Sequence, residues 1–258
     1  MRFACVRGAD GPAWGIVRDD NLHYIDTDPY REYRETGEVV AVAAAQLLAP
    51  VTPSKLLCLG KNYEAHRAEM GFTNEGVPSI FMKPPTTLVG PGDAVVLPPR
   101  TMSTHVEHEA ELAVVIGRAA RFVSEADALD HVLGYTCAND VSARDLQRAD
   151  PHPTRGKGFD TFCPIGPWIG TDIDIDTGVD VRCRVNGDLR QEGSTTQMTF
   201  GVRFLVSYIS QFTTLLPGDV LLTGSPGGTG ALVPGDEVEI EVGGVGVLRH
   251  HVVASPRP

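Results

Sequence analysis

Residues 106–117, VEHEAELAVVIG, place Glu107, Glu109 and Glu111 at every second position and then run directly into an apolar stretch. On a strand, side chains alternate, so the three glutamates share one face while His108, Ala110 and Leu112 take the other. A solvent-facing edge accounts for Glu107. It does not account for Glu109 and Glu111, because LAVVI lacks polar alternation and reads as buried on both faces. Two carboxylates about 4 Å apart repel by roughly 4 kcal/mol at an effective dielectric near 20, so a partly buried pair needs a cation or a shared proton. Ligation by carboxylate oxygen alone suits a hard ion, Mg2+, Mn2+ or Ca2+. Asp140, at the end of the apolar run in YTCANDVSARDLQ, offers a third carboxylate. The same residue is placed to cap a helix over SARDLQ, and spacing leaves the two roles equally open. A zinc site built from His105, His108 and a glutamate fits less well, since an i, i+3 pair is split across a strand.

His66 and Glu69 in NYEAHRAEM are i, i+3 neighbours on a short helix that Asn62 can cap and Gly71 can end. The carboxylate can orient the imidazole and raise its basicity, an arrangement that activates water. Taken alone, such a pair is more often a surface contact; a nearby metal is what makes it catalytic. TGSPGGTG, residues 223–230, lacks the GK[ST] ending of a phosphate loop and a helix beginning there. It either presents backbone N–H groups and hydroxyls to a small anion or is a plain glycine-rich turn, with equal weight.

The elements that must position these groups are mostly strands. RFACVRG, AWGIVRDD and LHYID form a meander, and the alanine-rich EVVAVAAAQLL predicts a helix closed by Pro50 and Pro53. Residues 1–50 therefore read as a small N-terminal unit ahead of residues 51–258. SKLLCLG is a short buried strand. PGD recurs at Pro91, Pro217 and Pro234, and Pro then Gly suit the centre of a type II turn, so each should launch a strand. Asn186-Gly187 suits the type I′ turn of a hairpin. SEADALDHVL, with Ser124 and Asp127 as a capping pair, and MTFGVRFLVSYISQF, preceded by Ser194 to Thr196, predict two helices. ADPHPTRGKGFD is too irregular for an element and reads as a mobile loop. The fold class is α+β, dominated by β.

The chain has 258 residues, of which 42% are hydrophobic and 21% charged. That suits one large domain with a small appendage. A net charge of −11 without a basic block argues against nucleic acid and anionic membranes and for a small-molecule ligand. The opening MRFACVRGADGPAW has no apolar signal core, and no apolar run approaches the ~20 residues that span a bilayer, so a cytoplasmic location is expected. Five scattered cysteines without a CxxC pair read as buried thiols.

In order, GKNYEAHRAEM, PSIFMKPPTTLVGPGDAVVLP, HEAELAVVIG, GYTCANDVSARDLQ, KGFDTFCPIGPW and LLTGSPGGTG resemble the fumarylacetoacetate hydrolase family, and specifically its smaller acylpyruvase-like branch. The resemblance spans residues 53–250. It implies a mixed β-roll of packed sheets, a homodimer, and Mg2+ or Mn2+ held by Glu109, Glu111 and Asp140. It further implies catalytic roles for His66, Glu69 and Lys157, and a substrate pocket lined by Lys83, Arg144, Gln147, Thr161 and Ser225. The implied reaction is C–C hydrolysis of an acylpyruvate-type 2,4-dioxo acid, such as fumarylpyruvate or fumarylacetoacetate, through an enolate. An oxaloacetate-type decarboxylase and a 2-hydroxyhepta-2,4-diene-1,7-dioate isomerase or decarboxylase share that enolate and remain alternatives. A metal- and ligand-binding module without catalysis is the alternative from another class.

Overall fold

Turn chemistry and alternation shape most of the chain, and a computed structural model describes residues 1–65 and 76–256. The N-terminal meander comprises β1 (Arg2–Gly8), β2 (Gly11–Arg18), β3 (Asn21–Ile25) and β4 (Glu35–Ala41), each antiparallel to the one before. The helix expected over EVVAVAAAQLL is not there. Its residues form the end of β4, a single 3-10 turn and the two-residue β5 (Leu47–Leu48). Alanine's helical preference amounts to under ~1 kcal/mol per residue. An amphipathic helix would also need an apolar face to bury, whereas β4 gains a backbone ladder with β3 while staying largely exposed.

The middle of the chain supplies β6 (Leu56–Gly60), β7 (Ser79–Lys83), β8 (Leu88–Val89), β9 (Ala94–Val96), β10 (Val106–His108), β11 (Ala110–Ile116), β12 (Val132–Asn139), β13 (Ser142–Ala143) and β14 (Cys163–Gly170). The hairpin β15 (Asp180–Val185) and β16 (Asp188–Ser194) follows, then β17 (Val220–Leu222), β18 (Gly230–Ala231), β19 (Glu237–Val242) and β20 (Gly246–Val253). The three PGD glycines, Gly92, Gly218 and Gly235, adopt φ of 82°, 87° and 98°, and each precedes a strand as a type II turn requires. Asn186 and Gly187, at 54° and 85°, carry the double positive φ of a type I′ hairpin.

Among the described residues, strands pair into a 12-stranded sheet, a 5-stranded sheet and a 3-stranded one. The large sheet runs β4-β3-β2-β1-β14-β12-β11-β17-β6-β7, with β5 against β1 and β8 against β14. The five-stranded sheet is ordered β16-β15-β19-β20-β9, and the small one β13-β10-β18. Parallel pairs (β6 with β17, β8 with β14, β9 with β20) among antiparallel ones make this the mixed, strand-dominated architecture that the sequence implied. The first fifty residues extend the large sheet, through Arg2 opposite Gly170 and Phe3 opposite Ile169.

Strand β11 lies between β12 and β17. Leu112, Val114 and Ile116 point into the main core with Val181, Ile240 and Leu205, while Ala113 and Val115 face a second core with Phe3, Ile16 and Leu56. LAVVI is thus buried on both faces because each face has its own core. SEADALDHVL forms only the turn Ala128–His131, since β12 takes Val132 and Leu133 into its ladder; the Ser124 hydroxyl still donates to Asp127 at 2.7 Å. The later helix is confined to Val202–Ser210 behind Gly201, and Ser194 with Gln197 forms a capping box on the separate turn Thr195–Gln197. Among the described residues no helix is long and apolar enough to cross a membrane. All five cysteines are free and buried.

Leu112→Ala should lower unfolding free energy by about 2–5 kcal/mol in urea, through the lost burial plus the cavity left between two sheets. Val39→Ala, on the exposed β4, should stay within about 0.5 kcal/mol.

Candidate active site

The ligand cluster arises where a chain segment changes sheets. β10 pairs with β13 and β18, β11 pairs with β12 and β17, and Glu109 is the residue between them. Asp140 directly follows β12, whose Asn139 lies opposite Ala110, and the Asp140 amide donates to the Glu109 carbonyl at 2.9 Å. Glu111, one alternation further on, turns to the same side. Carboxylate oxygens of Glu109, Glu111 and Asp140 lie within 4.8 Å of one another, and all three residues are buried.

The capping alternative for Asp140 is overturned. The helix that follows is Arg144–Ala149, with Ala143 at its N-cap. The Asp140 carboxylate instead accepts from Lys83 Nζ at 2.6 Å and Lys157 Nζ at 2.5 Å. Lys157 also donates to Glu109 Oε2 at 2.6 Å. Its segment, expected to be a mobile loop, holds a one-turn helix, Thr154–Lys157, and the lysine is only 2% exposed, because two buried carboxylates anchor it. Burial alone would lower the Lys157 pKa, but Asp140 and Glu109 outweigh it and keep the ammonium charged.

Arg144 bridges two glutamates, with Nη2 2.6 Å from Glu109 Oε1 and Nε 2.9 Å from Glu107 Oε2. Its Nη1 donates to Gln147 at 2.5 Å. Glu107 therefore serves as counter-charge, receiving further hydrogen bonds from His105 at 2.7 Å and Thr229 at 3.1 Å. Burial opposes its ionisation, yet Arg144 and His105 hold its pKa below the ordinary value. The zinc alternative does not assemble: His105 is spent on Glu107, and the buried His108 on Gln191 at 2.8 Å.

Glu111 receives no hydrogen bond from these cations, although the Lys157 charge partly offsets its neighbours. Among the described residues it receives one hydrogen bond, from the Gly224 amide to Oε2 at 2.6 Å. Burial, then the Asp140 and Glu109 carboxylates, push its pKa well above the ordinary value. An oxygen-only donor set with one under-compensated buried carboxylate fits a hard divalent cation.

A cleft of about 430 Å3 opens onto the cluster, bordered by Glu109, Arg144, Gln147, Arg148, Lys157 and Ser225. Two residues expected to line it do not. Lys83 is 1% exposed and spends its ammonium on Asp140 and the Val141 carbonyl, so it braces a ligand from behind. Thr161 accepts from the Val96 amide at 2.8 Å and thereby ties the KGFDTF turn to β9, despite a φ of 70° unusual for a β-branched residue. His66 and Glu69 lie outside the described residues. The buried Gln191, bonded to both His108 and Ser225, belongs to no motif in the sequence. Its only signal there is an amide placed just after the Asn-Gly hairpin turn, between Arg190 and Glu192.

Fold and cluster together define a β-roll protein with a buried carboxylate triad, able to hold a cation, at a sheet junction. The chain belongs to the fumarylacetoacetate hydrolase family: the model described as fumarylacetoacetate (FAA) hydrolase C-terminal matches residues 55–253, and the Rv2993c-like, N-terminal model matches residues 1–50. Protein Rv2993c of Mycobacterium tuberculosis is 42% identical over 100% of both chains. Oxaloacetate tautomerase fahd2, mitochondrial, of Xenopus laevis is 39% identical over 98% of this chain and 90% of its own. The crystal structure of 5-carboxymethyl-2-hydroxymuconate delta-isomerase from Mycobacterium smegmatis superposes with a TM-score of 0.91 at 42% identity, over 99% of this chain and 100% of that one.

Asp140→Ala should abolish binding of Mg2+ or Mn2+, read by elemental analysis of the purified protein. Because the Glu111 pKa is raised in the metal-free site, a bound proton competes with the ion there. Metal affinity should then weaken as pH falls through that raised pKa and level off above it; Mn2+ affinity that does not weaken as pH is lowered would contradict this.

Proposed function

We propose that this protein is a divalent-metal-dependent enzyme that forms and reprotonates the enolate of a 2-oxo dicarboxylic acid, an isomerase or tautomerase. The observation that carries the reading is the pair of fixed cations at the cluster: Arg144 and Lys157 both border the cleft and both contact Glu109. A planar 2-oxo acid gains negative charge on its carbonyl oxygen as its α-proton leaves, and preorganised charge at that place lowers the barrier. A bound Mg2+ or Mn2+, held by Glu109, Glu111 and Asp140, would supply the Lewis acidity that polarises the 2-oxo group. Arg144 and Lys157 balance the incoming carboxylate, Gln147 and Ser225 orient it, and the charge held on Lys157 makes it a poor base. The proton has to pass to another group, and His66, paired with Glu69 in sequence, is of the right type. Support also comes from the names of two relatives, one a tautomerase and one an isomerase.

Hydrolysis of an acylpyruvate is the second reading, favoured by the H-x-x-E spacing of His66 and Glu69. There the same histidine would take its proton from water instead of carbon, and the enolate of pyruvate would leave. Incubation with Mn2+ in D2O separates the two. Deuterium entering C3 of oxaloacetate faster than with metal alone, without cleavage of acylpyruvates, supports the isomerase; cleavage of acylpyruvates supports the hydrolase. If neither occurs, the protein is a binding module. Lys157→Met should lower kcat roughly 100-fold or more while Glu111 and Asp140 still retain the metal.

A further inference from the structure

We infer that Gln191 is a positioning residue that turns the Ser225 hydroxyl into a hydrogen-bond donor for an anionic ligand in the cleft, an inference that rests on the 2-oxo acid reading above. Gln191 lies on β16, in a different sheet from the metal-ligand strand, and is 1% exposed. Its carboxamide is saturated. Oε1 accepts from the Ala110 amide at 3.0 Å and from His108 Nδ1 at 2.8 Å, and Nε2 donates to Ser225 Oγ at 2.7 Å and to the Pro226 carbonyl at 2.8 Å. The orientation of the amide is not a free choice. A backbone N–H can only donate and a backbone carbonyl can only accept, so Ala110 must face Oε1 and Pro226 must face Nε2.

It follows that Ser225 Oγ is an acceptor toward Gln191. Its own proton has to point elsewhere. Among the described residues, the acceptor within reach is the Pro226 carbonyl at 3.4 Å, long for an O–H···O bond and already taken by Gln191. Ser225 borders the cleft alongside Glu109, Arg144 and Lys157, so an oxygen acceptor on a bound ligand would complete the hydroxyl's bonding. Accepting from Gln191 leaves the Ser225 hydroxyl its proton and one lone pair, and turns the proton away from Gln191, where a carboxylate can accept it.

The same amide sets the loop in register with the ligands. Ala110, which it grips, separates Glu109 from Glu111, and Gly224, next to Ser225, donates to Glu111. Gln191 thus relates the position of the donor to the position of the metal.

Oxalate, a planar dianion resembling the enolate of a 2-oxo acid, is the probe, with its affinity for Mn2+-loaded protein read by isothermal titration calorimetry. Gln191→Glu keeps the shape and both acceptor bonds but cannot donate, so Ser225 turns its proton inward. Oxalate affinity should fall roughly 10- to 100-fold, the loss expected for one hydrogen bond to a charged group. KM should rise in step, with bound Mn2+ unchanged by elemental analysis. Ser225→Ala should lose as much and Ser225→Thr should bind like wild type. The double variant Q191E/S225A should bind oxalate no more weakly than S225A alone, whereas a mere charge effect of the new carboxylate would persist in that background. Wild-type affinity in Q191E, or additive losses in the double variant, would overturn the inference. Should Q191E not fold, equal oxalate affinity in S225A and wild type would overturn it as well. A wild-type protein that binds Mn2+ but no oxalate would sink the 2-oxo acid reading, and this inference with it.

Discussion

Three carboxylates buried within 4.8 Å of one another cannot all remain charged without nearby cations, and much of the architecture answers to that demand. The compensating charges arrive from separate parts of the chain. Lys83 comes from the end of β7, Arg144 from the start of a helix, and Lys157 from a one-turn helix thirteen residues later in sequence. Each makes hydrogen bonds of 2.5 to 2.6 Å to a ligand carboxylate. Losing any one leaves a buried charge uncompensated, which is a far larger penalty than losing a surface ion pair. Only Glu111 lacks a hydrogen-bonded cation among the described residues, and burial beside two other carboxylates favours its protonated form.

Rigidity comes from the strand on which two of the ligands sit. β11 is flanked by β12 and β17 and packed on both faces, so Glu109 and Glu111 can hardly shift without moving two cores. At Glu109 the segment leaves one sheet and enters another. That switch separates Glu107 from the cluster and lets it serve Arg144, although alternation alone makes all three glutamates equivalent. Backbone amides and carbonyls are tied across the junction as well, by Asn139, whose side chain accepts from the Glu109 amide at 2.9 Å, and by Gln191. The cleft is therefore assembled from a rigid floor of ligands and a rim of polar side chains whose orientations are already determined.

Several readings from local pattern hold because their causes are local. Pro-Gly at the centre of a turn demands a positive φ at the glycine wherever it occurs, and Asn-Gly demands a type I′ hairpin. The failures share a different cause. EVVAVAAAQLL and SEADALDHVL contain good helix formers, but a neighbouring strand offered a ladder to the first and absorbed the end of the second. Such competition is invisible in a window of ten residues.

The sequence by itself determined the chemistry available: alternating glutamates ahead of an apolar run, an aspartate after another, and the ordered motifs of the fumarylacetoacetate hydrolase family. Residue type and spacing suffice for that, because they dictate which atoms can ligate and how a strand presents them. Only the tertiary structure decided what each charge does. The capping role open to Asp140 is removed by the tertiary structure, in which Lys83 and Lys157 close on its carboxylate from 57 and 17 residues away and Ala143 sits at the N-cap. Lys83 has the charge to meet a substrate, yet burial turns it toward a carboxylate. Gln191 carries no signal of chemistry at all until two sheets bring it between the ligand strand and Ser225. A long-range contact depends on which surfaces the whole chain brings together, and that information is spread over residues too distant to be read as a motif.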